Sequence, residues 1–413
     1  MLRRFCPPFW IALCLLTFLH CGTKKTVETG AMGLDVIRLN ASEYPVFRDL
    51  FDKPSMLHAI DQQLTWLEAQ DPQMVWQFGP DHYSRDHLVA TLRTFRGLWQ
   101  KYAEHPRELQ EAIAQRFLVY QVTFDRSPDM LITSYHAPIY KGSLVRDGTY
   151  RFPIYARPDD LIAIRPSLFP EKFLLAGKSL RGDKMMARLD QTSGEVIPYF
   201  SRTQIDREGA LAHRGLELCY LADYMDAFLF HVQGGGFVAL PDGKFLRLNY
   251  AGKNGHPYRS IGGVLVDEGI IPKEELNLPR VLEYLRSEPG EMERVCFMNE
   301  SYVFYKADPE PYPQLKPEHY PHGVLDFPVT PKRSIATDKR HFPGGALCYV
   351  EGGTALVGEP AQRLGAFAVD QDTGGAIVDA HLDFFAGAGD DAENLAGIMN
   401  DPVGRLYFLV LRP

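Results

Sequence analysis

The sequence is poor in cysteine. It has six in 413 residues, three of them within the first 21 positions, which leaves Cys219, Cys296 and Cys348 in the body of the chain. These stand far apart and form no Cys-x-x-Cys pair, which argues against a zinc cluster or a disulfide scaffold. A single disulfide in an oxidising compartment stays open, with no pair preferred. The 13 histidines include no His-Glu-x-x-His and no other compact ligand spacing, so no metal site is indicated and no cofactor is expected. Positive charge is short as well: 44 Lys and Arg against 52 Asp and Glu give a net charge of −8. That balance favours solubility and argues against a nucleic-acid partner, which would need a basic face. No repeat recurs at a fixed period.

What remains is the material of an ordinary globular protein. Hydrophobic residues make up 45% and charged residues 23%, which argues against wholesale disorder. A chain of 413 residues is too long for one ordinary core and predicts two domains or one large irregular one. Aromatic content of 12% leans towards β-structure. At the start, Arg3 and Arg4 precede an apolar run from Phe9 to Leu19, of signal-peptide length and too short to span a bilayer comfortably. The run ends in "TFLHCGTKK", with Cys21 where a bacterial lipoprotein would be cleaved and acylated, although His20 stands where a small residue is usual. Residues 1–21 therefore read as a signal peptide with Cys21 as the lipidation site. The plainer alternative is a secretory signal with an incidental cysteine. Residues 22–45 lack periodicity and read as a tether.

Two helices follow. Leu57, Ile60, Leu64 and Leu67 fall at helical spacing behind a Ser55 cap, and Leu88, Leu92, Phe95 and Trp99 form a second stripe. Such stripes are core faces. From about Leu118 the texture changes to short β-branched and aromatic runs broken by Gly, Pro and Asp, among them "FLVYQVTF", "MLITSYHAPIY", "FLFHVQGGGFVAL" and "KFLRLNYAG". This predicts strands of a barrel or sandwich. A helical interlude, "IPKEELNLPRVLEYLRS", carries Pro272 at its expected first turn. The proline-dense stretch near 307–322 is the best boundary before β-texture resumes.

Three constellations carry chemistry. Asp372-Thr373-Gly374 invites an aspartic-protease reading. That mechanism needs two carboxylates about 3 Å apart sharing one proton, hence two such loops in one chain. Only one is present, and a turn made by Asp before Gly-Gly explains it more simply. The acid of "HLDFF" differs. On a strand, Asp383 and Phe385 share one face, with Leu382 and Phe384 on the other. An acid beside aromatic surface loses hydration, its pKa rises, and it becomes suited to general-acid work near neutrality; the alternative is a structural acid before a glycine turn. Finally, "YAGKNGHPYRSIG" crowds Lys253, Asn254, His256, Tyr258, Arg259 and Ser260 into a predicted loop. Such mixtures bind sugars, with rings for the apolar faces and amides for the hydroxyls, or else form a polar surface turn. "HVQGGG" and "TSYHAP" have the same character, and neither glycine run sits in a βαβ setting that would cradle phosphate.

In their order along the chain, "FHVQGGG", "NYAGKNGHPYRSIG", "SYVFYK", "DTGGAI" and "DFFAGAGDDAENLAG" resemble the motifs of the membrane-bound lytic murein transglycosylase A family, from about Phe78 to the end. The resemblance implies a mainly β fold with N-terminal helices. A double-psi β-barrel catalytic domain would be built from residues 46–138 and 307–413. A β-barrel-like glycan-binding domain would be inserted over 139–306, with the substrate groove between the two. It implies cleavage of the β-1,4 bond between N-acetylmuramic acid and N-acetylglucosamine in peptidoglycan, without water or cofactor, leaving a 1,6-anhydro ring. Asp383 matches the family's single catalytic acid and Asp372 the companion Asp of its "D-x-G-G-A-I" motif. The family's "T-G-Y-Y-T-P" is "TSYHAP" here, so only Thr133 and Tyr135 carry over as cleft contacts. Gln233, Lys253, Asn254 and Tyr258 match the insertion motifs and are expected to bind substrate. The implied partners are peptidoglycan glycan strands and, through the lipid, a membrane. The implied place is the periplasm, anchored to the outer membrane. The rival from another class is a catalytically silent peptidoglycan-binding lipoprotein, towards which the altered "TSYHAP" points.

Overall fold

The computed structural model describes residues 26–27, 34–168, 184–342, 344–357 and 362–413. The expected signal peptide over 1–21, with its Cys21, lies outside the described residues. Helix Lys53–Glu68 begins where Asp52 Oδ1 accepts from the backbone N–H of Ser55 at 2.8 Å, with Pro54 in the first turn. The cap is thus Asp52, not Ser55. Ser84 caps helix Arg85–Tyr102 in the same way. Ile60 and Leu67 of the first helix and Leu88, Leu92, Phe95 and Trp99 of the second enter the core of the larger sheet.

That sheet closes on itself. Strands Leu347–Val357, Gln362–Asp372, Ser334–Thr337, His381–Ala388, Met130–Ala137 and Asn400–Leu411 are neighbours in that order, and the last pairs back to the first. Phe117–Phe124 and Leu34–Arg38 extend it beyond Asn400–Leu411. Two pairings are parallel: Ser334–Thr337 with Gln362–Asp372, and Met130–Ala137 with His381–Ala388. The barrel is therefore assembled from chain on both sides of a long middle segment. Strand Leu34–Arg38 corrects the expected tether over 22–45. Val36 is buried and registered with Val122, and "LDVIR", with Val36 and Ile37 side by side, lacks the apolar–polar alternation that announces a strand.

At Pro138 the chain leaves the barrel. Ile139–Ser143 belongs to a second sheet, ordered Val303–Ala307, Phe245–Lys253, Gly236–Ala239, Ile139–Ser143, Glu217–Leu221 and Phe152–Tyr155. Helix Tyr224–Gln233 is buried on nearly every side. Ala227 and Phe230 join the core of this sheet, while Met225, Phe228 and Leu229 join a helical core with Val264, Leu265, Val281 and Leu285. A helix apolar all round lacks the 3.6-residue stripe, which is why "FLFHVQGGGFVAL" read as strand throughout. Asp223 caps this helix, Gly234 at φ 78° ends it, and the strand starts only at Gly236. Helix Leu278–Ser287 likewise begins after the Asn277 cap and not at Pro272. Cys219, Cys296 and Cys348 are all free and buried, so they form no disulfide. No helix among the described residues is long and apolar enough to cross a membrane.

Candidate active site

Register brings the expected acids onto one stretch of barrel wall. Asp372 is paired with Ala336, Ala336 with Asp383, and Asp383 with Thr133, so the four residues form a row across four adjacent strands. The small Ala336 leaves the space between the two carboxylates open. Strand spacing puts the two aspartate backbones about 10 Å apart, and each carboxylate has its own hydroxyl donor, Thr133 for Asp383 and Tyr135 for Asp372. Two residue pairs along, Tyr135 faces Phe385 with ring centroids 5.0 Å apart.

Asp383 is half-buried, with Leu382 and Phe384 of the same strand buried in the barrel core and Phe385 in a separate apolar cluster. Burial pushes its pKa up to about 7, and the neighbouring Asp372 charge adds to the rise against the Thr133 hydroxyl. Thr133 Oγ1 lies 2.8 Å from Asp383 Oδ1 and 2.8 Å from His381 Nε2. The other ring nitrogen of His381 is 3.3 Å from the Ala376 carbonyl oxygen. His381 was passed over in sequence, although it stands two residues from Asp383 and therefore on the same face of the strand.

Asp372 is held differently. Tyr135 Oη donates to Asp372 Oδ2 at 2.7 Å, and the backbone N–H groups of Thr373 and Val324 donate to Oδ1 at 2.8 and 3.1 Å. Burial raises its pKa, and these donors oppose the rise. Gly323 permits the approach of Val324, since a Cβ there would stand 2.6 Å from the Gln371 carbonyl oxygen. Two residues earlier, the fully buried Asp370 pairs with the Lys339 ammonium and accepts from Thr337 Oγ1. This charge pair under the site was also missed, because Lys339 lies 31 residues away in sequence.

The four residues expected from the middle segment separate. Lys253, at the end of strand Phe245–Lys253, points its ammonium towards the turn after Asp372; a methyl added at Gly375 would lie 3.8 Å from Nζ. Gln233 Oε1 accepts from the His136 backbone N–H at 3.3 Å and so bridges the inserted helix to the barrel strand. Tyr258 is 38% exposed. Asn254 is not available to a ligand. It is fully buried, its Nδ2 donates to the carbonyls of Phe200 and Glu300 at 2.9 and 2.8 Å, and its Oδ1 accepts from Tyr302 N at 2.9 Å. Its amide cross-links three chain segments, which corrects the expectation that it binds substrate. Asn254→Ala takes their partner from the Phe200 carbonyl and the Tyr302 N–H in the interior, while the Glu300 carbonyl keeps the Arg202 N–H, and should cost about 2–4 kcal/mol, read as a lowered urea midpoint.

The altered "TSYHAP" residues are engaged within the protein. Ser134 Oγ donates to the Phe384 carbonyl at 2.7 Å, His136 is 3% exposed with its pKa pushed down to about 4 by burial, and Ala137 packs in a cluster with Phe237, Val329 and Phe385. Among the described residues, one group has metal-ligand atoms within 4.8 Å of one another: Asp338, His341 and Asp379. The Arg340 guanidinium already contacts both aspartates and supplies their positive charge.

The fold has counterparts among known proteins. Residues 131–306 match the model of the MltA specific insert domain, and residues 333–410 match the 3D domain. Membrane-bound lytic murein transglycosylase A of Escherichia coli K12 is 28% identical over 295 residues, covering 70% of this chain and 68% of that protein. The crystal structure of membrane-bound lytic murein transglycosylase from Agrobacterium tumefaciens superposes with a TM-score of 0.73 at 24% identity, covering 92% of this chain and 98% of that one. E. coli MltA with bound chitohexaose superposes at 0.63 and 22% identity, covering 93% and 96%. The chain belongs to the membrane-bound lytic murein transglycosylase A family.

Proposed function

We propose that this chain is a peptidoglycan lytic transglycosylase that cleaves the β-1,4 bond between N-acetylmuramic acid and N-acetylglucosamine with Asp383 as its one acid and base. A single observation carries the reading: the Asp383 carboxyl, whose pKa burial pushes up to about 7, is held by Thr133 in the barrel wall, while the carboxylate of Asp372 in the same row is taken up by Tyr135 and the Thr373 and Val324 N–H groups and is not free to activate water. A hydrolase would need a second carboxylate to activate water, whereas an internal nucleophile does not. Protonated Asp383 gives its proton to the bridging oxygen as the C1–O4 bond breaks through an oxocarbenium-like state. The muramic acid C6 oxygen then bonds to C1, and its proton returns to Asp383. No water is consumed and the enzyme ends as it began. The names of the relatives, and the oligosaccharide held by one of them, support such a substrate.

In this reading the closed barrel is a double-psi barrel, and the glycan lies between it and the inserted domain. Asp372 keeps a negative charge near Asp383, Tyr135 positions Asp372, and Lys253, Gln233 and Tyr258 contribute from the insert side. Cys21 carries the lipid that holds the enzyme to the outer membrane from the periplasm. Two of the three "TSYHAP" changes give the silent-binder alternative little support, since Ser134 bonds the Phe384 carbonyl and Ala137 packs in an apolar cluster. Digestion of purified sacculi should release 1,6-anhydromuropeptides, identified by a mass 18 Da below the hydrolytic products, the mass of one water. Reducing-end products alone would make the protein a hydrolase, and binding without turnover would make it a silent binder.

A further inference from the structure

The polarity of one hydroxyl decides what Asp383 can do. Thr133 has a single hydroxyl proton and stands at 2.8 Å from both Asp383 Oδ1 and His381 Nε2, so it donates to one and accepts from the other. Resting on the function proposed above, we propose that His381 is a positioning residue: held by the Ala376 carbonyl as its neutral Nδ1–H tautomer, it takes the Thr133 proton on Nε2 and obliges Thr133 to accept from Asp383.

The line of hydrogen bonds then runs in one direction. With Asp383 protonated, the 2.8 Å contact in which Thr133 Oγ1 donates to an ionised Oδ1 reverses: Oδ1–H donates to Thr133 Oγ1, Thr133 Oγ1–H donates to His381 Nε2, and His381 Nδ1–H donates to the Ala376 oxygen, 3.3 Å away. Every polar atom of the line is satisfied with no charge in it, and the acid is in the form that can protonate a leaving group. With Asp383 ionised and the imidazole unchanged, either Thr133 turns its lone pairs on the carboxylate or it turns them on Nε2. Both place lone pair against lone pair at hydrogen-bond distance. The same arrangement helps the second half of the cycle, since a carboxylate denied the Thr133 proton is a stronger base towards the C6 hydroxyl. Burial lowers the imidazole's pKa and so favours its neutral form, against the Ala376 contact.

Other charges surround the line. Asp370 with Lys339 and Asp372 with Tyr135 lie on the neighbouring strands, and Lys253 approaches from the insert. Asp401 stands on the strand Asn400–Leu411, while Asp390, Asp391 and Glu393 occupy the first turn of helix Asp390–Ile398, which packs on the strands of Thr133 and Asp383. These groups set the absolute position of the titration and are the same in variants at 381, so a difference between variants isolates His381.

The test is the pH profile of kcat/KM for release of anhydromuropeptides. His381→Phe, which offers Thr133 no acceptor, should move the basic limb about one unit towards acid and lower the rate at pH 8 about tenfold, with little loss at pH 5. His381→Gln, whose amide oxygen takes the place of Nε2, should restore most of the limb. A basic limb unmoved in His381→Phe, or a uniform loss at all pH values, overturns the proposal. If His381→Phe does not fold, nitrogen NMR of the unaltered protein decides: the Nδ1–H tautomer is expected for His381, and the Nε2–H tautomer refutes it. Absence of anhydro products from the unaltered protein would instead refute the transglycosylase reading and leave the tautomer measurement standing by itself.

Discussion

Asp383→Asn is expected to lower the release of anhydromuropeptides by at least about a thousandfold, because one group's removal takes away both proton transfers of the cycle. General acid or base assistance is worth about 10²–10⁴ in rate for a single step, and here the amide can neither protonate the bridging oxygen nor receive the C6 proton. Folding should survive, since the side chain keeps its shape and its amide still pairs with Thr133. A stability measurement adds a check that a merely misfolded variant fails. The folded-state pKa of Asp383 is raised to about 7 from an ordinary 3.8. Its contribution is therefore fully present below pH 3.8 and lost progressively as pH rises from there through 7. Above that window the ionised carboxylate sits in a site that disfavours charge. Asp383→Asn should thus be more thermostable than the unaltered protein at pH 8, and the advantage should vanish near pH 4. An inactive variant without this pH-dependent difference would mean that Asp383 is not the desolvated acid described above. Retained turnover would move the acid elsewhere.

The sequence carried the site where the chemistry is local. The alternation in "HLDFF" placed Asp383 opposite Leu382 and Phe384, and these two are fully buried in the barrel core. The period-2 rule that found Asp383 applies equally to His381, which was passed over because nothing in one strand announces that Thr133, 248 residues away, will sit between them. Register across strands from both ends of the chain is a tertiary property. Asn254 failed for the opposite reason. Its polar neighbours look like a binding loop, and only the fold reveals that carbonyls from residues 200 and 300 converge on its amide. Helix Tyr224–Gln233 was misread as strand because burial on two sides erased its stripe. The strand Leu34–Arg38 was invisible because its hydrogen bonds come wholly from a partner some eighty residues on.

Arg333→Met should destabilise the barrel by about 3–5 kcal/mol, the cost of leaving a buried carboxylate without its partner. The guanidinium is fully buried and uses all five of its N–H donors. Two go to Asp49 at 2.6 and 2.9 Å, one to the Phe367 carbonyl at 2.9 Å, one to Ser55 Oγ at 2.9 Å and one to the Asp52 carbonyl at 2.8 Å. Asp49 in turn accepts from the Phe367 N–H at 2.7 Å. One arginine thus ties the start of the first helix to the strand Gln362–Asp372, and it immediately precedes Ser334–Thr337, the strand whose Ala336 separates the two site aspartates. Lysine has three donors and no planar fork, so Arg333→Lys should recover little. Removing Asp49 together with Arg333 should recover only part of the loss, because the Phe367 peptide is then unpaired at both ends. Denaturant midpoints of the two single variants and the double decide it. A cost below about 1 kcal/mol for Arg333→Met would mean that the hydrogen bonds only offset the desolvation of the charge, and the register of the acid row would then have to be held by apolar packing alone.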